Sequence, residues 1–139
     1  MSFIGPASGA RIQLCNADEP LPVSRCISAE AVFPASHRGF QGHFPGYAIL
    51  PGFLHIEVVL DILRQRTGPV EITAIRRMKF LRPIKPEETV TLTLLPRGKG
   101  RLEAKLQVAQ TPVCEMELEW AEAPAGGASS QNLYKLPHW

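Results

Sequence analysis

The stretch GFLHIEVVLDILRQRT, running from Gly52 to Thr67, decides the fold. It begins after Pro51 and ends at Gly68 and Pro69, residues that suit the entrance and the stop of a helix. Arg64 and Arg66 stand in its last turn, where a cation complements the helix dipole. Phe53, Leu54, Ile56, Val58, Val59, Leu60, Ile62 and Leu63 leave the helix almost no polar side. A helix of that kind is buried nearly all round.

What buries it must come from the rest of the chain. Downstream, Val70 to Leu81, Thr89 to Leu95, Leu102 to Ala109 and Val113 to Trp120 each have the character of a strand. Pro83, Pro86, the stretch from Pro96 to Gly100, and Thr111 with Pro112 separate them. Leu102, Ala104, Leu106 and Val108 form an apolar row opposite Glu103, Lys105 and Gln107. Met116, Leu118 and Trp120 do the same opposite Glu115, Glu117 and Glu119, and Thr89 to Leu95 alternates threonine with apolar residues. Each of these strands therefore has one wet face and one dry face. Upstream, Arg11 to Cys15 reads as a short strand, Asn16 to Pro22 as a turn, and Val23 to Phe33 as a longer strand. A curved antiparallel sheet wrapped around one central helix, an α+β arrangement, satisfies both the dry faces and the apolar helix.

The chain has 139 residues, enough for one domain. We place that domain at residues 1–120 and read 121–139, rich in Ala, Gly and Ser and without period, as a mobile tail. A net charge of +2 argues against nucleic acid or a membrane surface as partner. No apolar run is long enough for a transmembrane helix, and Met1 to Ala10 lacks the pattern of a signal peptide. Cys15, Cys26 and Cys114 are widely spaced and form no CxxC pair, so they read as buried, reduced thiols of a cytosolic protein.

Within the apolar helix, Glu57 is out of place. An ionised carboxylate there costs several kcal/mol unless it is paired, and desolvation favours its neutral form. Asp61 lies one turn on and shares its face. Two carboxylates on a buried face repel, so one tends to keep its proton. The pattern fits a stripe facing a cavity, a wet stripe, or a dimer contact. Ahead of the helix, Gln41 to Gly52 carries His43 among prolines and glycines. A histidine there can act as a base near neutral pH. Pro51 and Gly52 leave free N–H groups at the helix start, and these favour developing negative charge. His55 competes with His43, but two residues from Glu57 it points to a different helix face. His37 and His138 read as ordinary polar residues of a loop and a tail.

Gly42-His43-Phe44-Pro45-Gly46, followed by Pro51-Gly52, Leu54 and Glu57, resembles the active-site segment of bacterial 3-hydroxyacyl-acyl-carrier-protein dehydratases of fatty-acid synthesis. That segment reads GHFPG, then PG and a helix carrying the catalytic acid, with the same spacing. Met78 to Pro86, MKFLRPIKP, looks like the family's KFRRPVxPGD strand and turn. The resemblance covers roughly residues 20 to 120. It implies the hot-dog fold and a homodimer or higher even oligomer, with His43 from one subunit and Glu57 from the other. It implies that His43 removes the α-proton of a (3R)-3-hydroxyacyl thioester and that Glu57 protonates the departing hydroxyl. The Gly52 N–H would polarise the thioester carbonyl, with no metal or organic cofactor.

This chain departs from the family pattern at three places. Ala48 replaces a proline and is expected to loosen the loop. Asp61 replaces an amide and is expected to help keep Glu57 protonated. Glu87-Glu88 replaces Gly-Asp, a change that a surface should tolerate. The N-terminal block of the housekeeping enzymes is absent, which opens polyene or polyketide-type pathways beside fatty-acid synthesis. Arg76, Arg77, Lys79, Arg82 and Lys85 form a basic run without an acid, suited either to docking an acidic acyl carrier protein or to protecting a solvated strand face. A thioesterase on the same fold, and a non-catalytic subunit of a heterodimeric dehydratase, are the alternative readings. An accompanying isomerase activity stays open, because the same base can move a second proton. Acyl length depends on a tunnel lined by residues such as Tyr47, Phe53 and Leu54.

Overall fold

A computed structural model of the chain describes residues 8–15, 26–40, 49–98 and 100–123. His43, Tyr47, Ala48, His138, the expected turn from Asn16 to Pro22 and the tail from position 124 onward lie outside the described residues. In chain order the elements are β1 (Arg11–Leu14), β2 (Ile27–Val32), a short 3-10 turn (Arg38–Phe40), α1 (Gly52–Thr67), β3 (Val70–Phe80), β4 (Thr89–Pro96), β5 (Arg101–Val108) and β6 (Thr111–Glu122). The six strands form one antiparallel sheet in the order β1-β2-β4-β5-β6-β3. This is the α+β hot-dog arrangement.

The dry rows of the strands make the core with α1. Ile27, Ala29 and Ala31 of β2, Val90, Leu92 and Leu94 of β4, Leu102, Ala104 and Leu106 of β5, and Met116 and Leu118 of β6 are all buried. Every residue of α1 from Leu54 to Leu63 is buried, and its apolar members join them in one cluster; His55, Glu57 and Asp61 are buried on the same helix. Each fully buried leucine, isoleucine or valine contributes about 1.5–3 kcal/mol relative to exposure. The helix ends at Gly68, whose φ of 87° suits a residue without Cβ and whose N–H donates to Arg64 O at 2.8 Å.

β6 departs from its sequence reading at both ends. It starts at Thr111, and Pro112 pairs with Gln107 beside a register shift. Val113 is the extra residue there, and a bulge of that kind accommodates a proline that cannot donate. The β5–β6 turn is Ala109-Gln110, with φ of 50° and 69°, the handedness that two-residue hairpins need. At its other end β6 takes in Ala121 and Glu122, which pair with Glu71 and Val70, so the regular structure runs two residues past the expected boundary at 120.

β3 is an edge strand, and two of its arginines are matched from β6. Arg76 pairs with Glu119 at 2.6 Å and Arg77 with Glu115 at 3.9 Å. The basic run is therefore supplied with acids, which the one-dimensional sequence hides because they lie some forty residues on, across the sheet. Exposed pairs such as these are worth about 0–1 kcal/mol each.

Candidate active site

α1 begins without a side-chain cap. Pro51, at φ −61° and ψ 148°, offers no capping group, and its carbonyl accepts from Leu54 N at 3.1 Å. The N–H groups of Gly52 and Phe53 have no intrahelical acceptor by helix geometry. This end of α1 opens on a cavity of about 340 Å³ lined by Leu50, Gly52, His55, Phe80, Leu81 and Arg82, among others. The lining is chiefly apolar, so a donor facing it acts more strongly than in water. A Cβ at Gly52 would meet the Phe80 ring at 3.0 Å, so only glycine fits without displacing that ring.

His55 was set aside in the sequence because it points away from Glu57. That other face is the one that carries the cavity. Its Nδ1 lies 3.1 Å from Pro51 O, and its ring meets Phe80 edge-on with centroids 5.0 Å apart. Burial pushes its pKa down, partly countered by the backbone carbonyls of Pro51 and Gly52. Its position three residues after Gly52, on the same side of the helix, was the available signal.

Glu57 and Asp61 are 3% and 6% exposed on α1, so the expected buried carboxylate pair exists. Neither belongs to the wall of the cavity at Gly52. Asp61 Oδ2 accepts the N–H of buried Ser8 at 2.9 Å. Ser8 O in turn accepts from His37 Nε2 at 2.5 Å, and His37 Nδ1 accepts Gly39 N–H at 2.8 Å. His37, expected to be an ordinary loop residue, is half-buried between Phe33 and Phe40 and holds the N-terminal segment in place. The sequence offered no sign of this, because Ser8 and Asp61 are joined only by folding.

Arg82, at the cavity, pairs with Glu88 at 2.9 Å, and Lys85 N–H donates to the same carboxylate at 2.8 Å. Burial raises the Glu88 pKa, but the Arg82 guanidinium and the Lys85 N–H together bring it below the usual range. Lys79 and Lys85 are exposed. Glu87 adopts a φ of 65°, the left-handed conformation that a glycine takes most easily. Its carboxylate accepts from Ala35 N at 2.8 Å and pairs with Arg11 at 3.2 Å. The substitution at this turn is thus tied into the fold rather than merely tolerated.

Of the three free cysteines only Cys114 is buried. Cys15 is exposed and Cys26 half-buried, because Cys15 follows the end of the edge strand β1 and Cys26 precedes β2. Burial, with Glu115 beside it, pushes the Cys114 thiol up to about 12, so it stays protonated and unreactive.

A family model described as ApeI-like, ApeI dehydratase, matches residues 21–117. The chain belongs to the ApeI-like dehydratase family. Among related proteins of this kind, the 3-hydroxyacyl-(acyl-carrier-protein) dehydratase FabZ of Staphylococcus carnosus is 34% identical over 111 residues, 70% of this chain and 74% of that protein. FabZ of Alkaliphilus metalliredigens is 34% identical over 94 residues, 59% of this chain and 64% of that protein, so this chain spans less than two thirds of that relative. In fold, this ApeI-like chain is similar to the dehydratase heterocomplex ApeI:P from Xenorhabdus doucetiae, at TM-score 0.64 and 21% identity over 74% of this chain and 93% of that one. It is also similar to an uncharacterized protein from Erwinia carotovora subsp. atroseptica, at TM-score 0.65 and 19% identity over 75% and 89%.

Proposed function

We propose that the chain dehydrates a (3R)-3-hydroxyacyl thioester, carried on an acyl carrier protein in the cytosol, to the trans-2-enoyl thioester. The observation that carries this reading is the uncapped start of α1 at Gly52, open to an apolar cavity, with the buried acid Glu57 further along the same helix. Membership of a dehydratase family supports it.

The thioester carbonyl accepts from the Gly52 N–H, and the helix N-terminus stabilises the enolate-like charge that develops there. His43 takes the proton from Cα. The electron pair of that bond forms the Cα–Cβ double bond as the Cβ–O bond breaks. Glu57 gives its proton to the departing hydroxyl, which leaves as water. His43 then returns the captured proton to the site, which restores Glu57 for the next turnover. The active form is an even oligomer in which one copy supplies His43 and another Glu57. The acidic carrier meets the exposed Lys79 and Lys85, rather than Arg76, Arg77 and Arg82, which Glu119, Glu115 and Glu88 already pair.

The test is incubation of the purified chain with a 3-hydroxyacyl carrier protein, followed by mass for loss of one water. His43→Ala and Glu57→Gln should each reduce turnover by about 10²–10⁴-fold. Mixing and reassembling the two variants should restore about a quarter of the activity if the site is split between copies. Unchanged turnover in both variants would sink the mechanism, and release of free acid would make the chain a thioesterase. Lys85→Glu should slow the carrier-bound substrate alone; an equal loss on a small thioester would argue against docking there.

A further inference from the structure

Three features of His55 converge on one role. The carbonyl of Pro51 can only accept, so the 3.1 Å contact places the ring proton on Nδ1. Nε2 then carries a lone pair. That atom is shut off from solvent and has no hydrogen-bond partner among the described residues, although the residue is only 2% exposed. Finally, the ring forms part of the cavity wall that also holds Gly52, one helical turn away.

A buried acceptor left unsatisfied costs about 1–3 kcal/mol. A group of leucine shape would avoid that cost and suit the apolar wall better. The ring that packs against His55 is Phe80, which is 52% exposed and can turn about its side-chain bonds. His55 is therefore an acceptor of fixed tautomer, screened by a movable ring, about 5–6 Å along the helix face from the position of the carbonyl donor.

We propose that His55 is a positioning residue, whose Nε2 accepts a hydrogen bond from an N–H or O–H group of the bound thioester and so fixes its carbonyl on the Gly52 N–H. The inference rests on the dehydratase reading. Two groups on such a substrate carry the required donor at a suitable distance from the carbonyl: the first amide of the pantetheine arm and the 3-hydroxyl of the acyl chain. Both present a neutral donor to a neutral acceptor, so the chemistry is the same.

The experiment compares the wild type, His55→Leu and His55→Gln on three small ligands. A saturated acyl N-acetylcysteamine thioester, scored as a competitive inhibitor, carries only the amide donor. A 3-hydroxyacyl S-propyl thioester, scored by kcat/KM, carries only the hydroxyl. A saturated S-propyl thioester, also an inhibitor, carries neither. His55→Leu should weaken one of the first two about tenfold and leave the third unchanged. The ligand that responds identifies the donor. His55→Gln should recover most of the loss, because its amide oxygen accepts where Nε2 did. Wild-type values for His55→Leu on all three ligands would overturn the proposal, as would an equal loss on all three, which marks a structural role. A wild-type protein that dehydrates no 3-hydroxyacyl thioester, small or carrier-bound, would overturn the function itself and the role of His55 with it.

Discussion

His37 and His55 each set one ring nitrogen against a backbone carbonyl, and there the likeness ends. His37 uses both nitrogens: Nδ1 accepts from Gly39 N–H and Nε2 donates to Ser8 O. His55 holds the opposite tautomer, with Nδ1 donating to Pro51 O and Nε2 left without a partner among the described residues. The first closes a chain of contacts through Ser8 to Asp61. The second faces a cavity beside an uncapped helix start. A histidine whose bonds are complete specifies structure, whereas one kept incomplete at a cost needs another reason to be there.

The largest effect should come from exchanging the two losses. His37→Ala strips Ser8 O of its donor and Gly39 N–H of its acceptor, beside the rings of Phe33 and Phe40. It should cost about 2–4 kcal/mol in urea unfolding, while the folded fraction keeps its turnover. His55→Leu leaves Pro51 O still bonded to Leu54 N–H and should change stability by less than about 1 kcal/mol. Its loss should appear in activity instead. If His55→Leu proves the less stable of the two variants, the distinction between them collapses.

Acid offers a second and smaller way to separate the two. Burial holds the His55 pKa below its ordinary 6.5, with Arg82 in the same cavity wall. The unfolded chain therefore binds a proton below about pH 6.5 that the folded chain does not, and stability falls as pH drops through that window. The decline is at most about 1.4 kcal/mol per pH unit for one proton, and it ends at the lowered folded value. His55→Leu should remove this component. Groups common to both proteins, Glu88 among them, cancel when their unfolding curves are subtracted. A difference that stays flat from pH 7 to 5 would mean that His55 charges freely in the fold.

The contrast also explains what the sequence could reveal. The limits of α1 and the inward rows of β4 and β5 follow from periods of a few residues, and they stand as expected. The place of Gly52 at the helix start and the burial of Glu57 were legible because one helix carries them both. The tie from Asp61 to Ser8 spans 53 residues, and the acids opposite β3 come from a strand about forty residues on. No local pattern encodes such partners. His55 was visible as a residue but not as a member of the site, since its meaning depends on Phe80, which folding brings over from β3.

The smallest effect is expected at Glu87, which fastens the same turn that His37 closes. Its N–H donates to Phe33 O at 2.9 Å, and its carboxylate accepts Ala35 N–H two residues before His37. Glu87→Gly would relieve a left-handed backbone at a non-glycine residue, a gain of about 1 kcal/mol. It would also remove an acceptor and an exposed ion pair with Arg11, a loss of about the same size. The two nearly offset, so the unfolding midpoint should move by less than about 0.5 kcal/mol equivalent. A loss above about 1.5 kcal/mol would show that the carboxylate, and not the ring of His37 alone, holds the turn closed. A clear gain would show that the backbone strain outweighs both contacts. Either result would change how much of the closed region His37 is credited with, while leaving His55 and its cavity untouched.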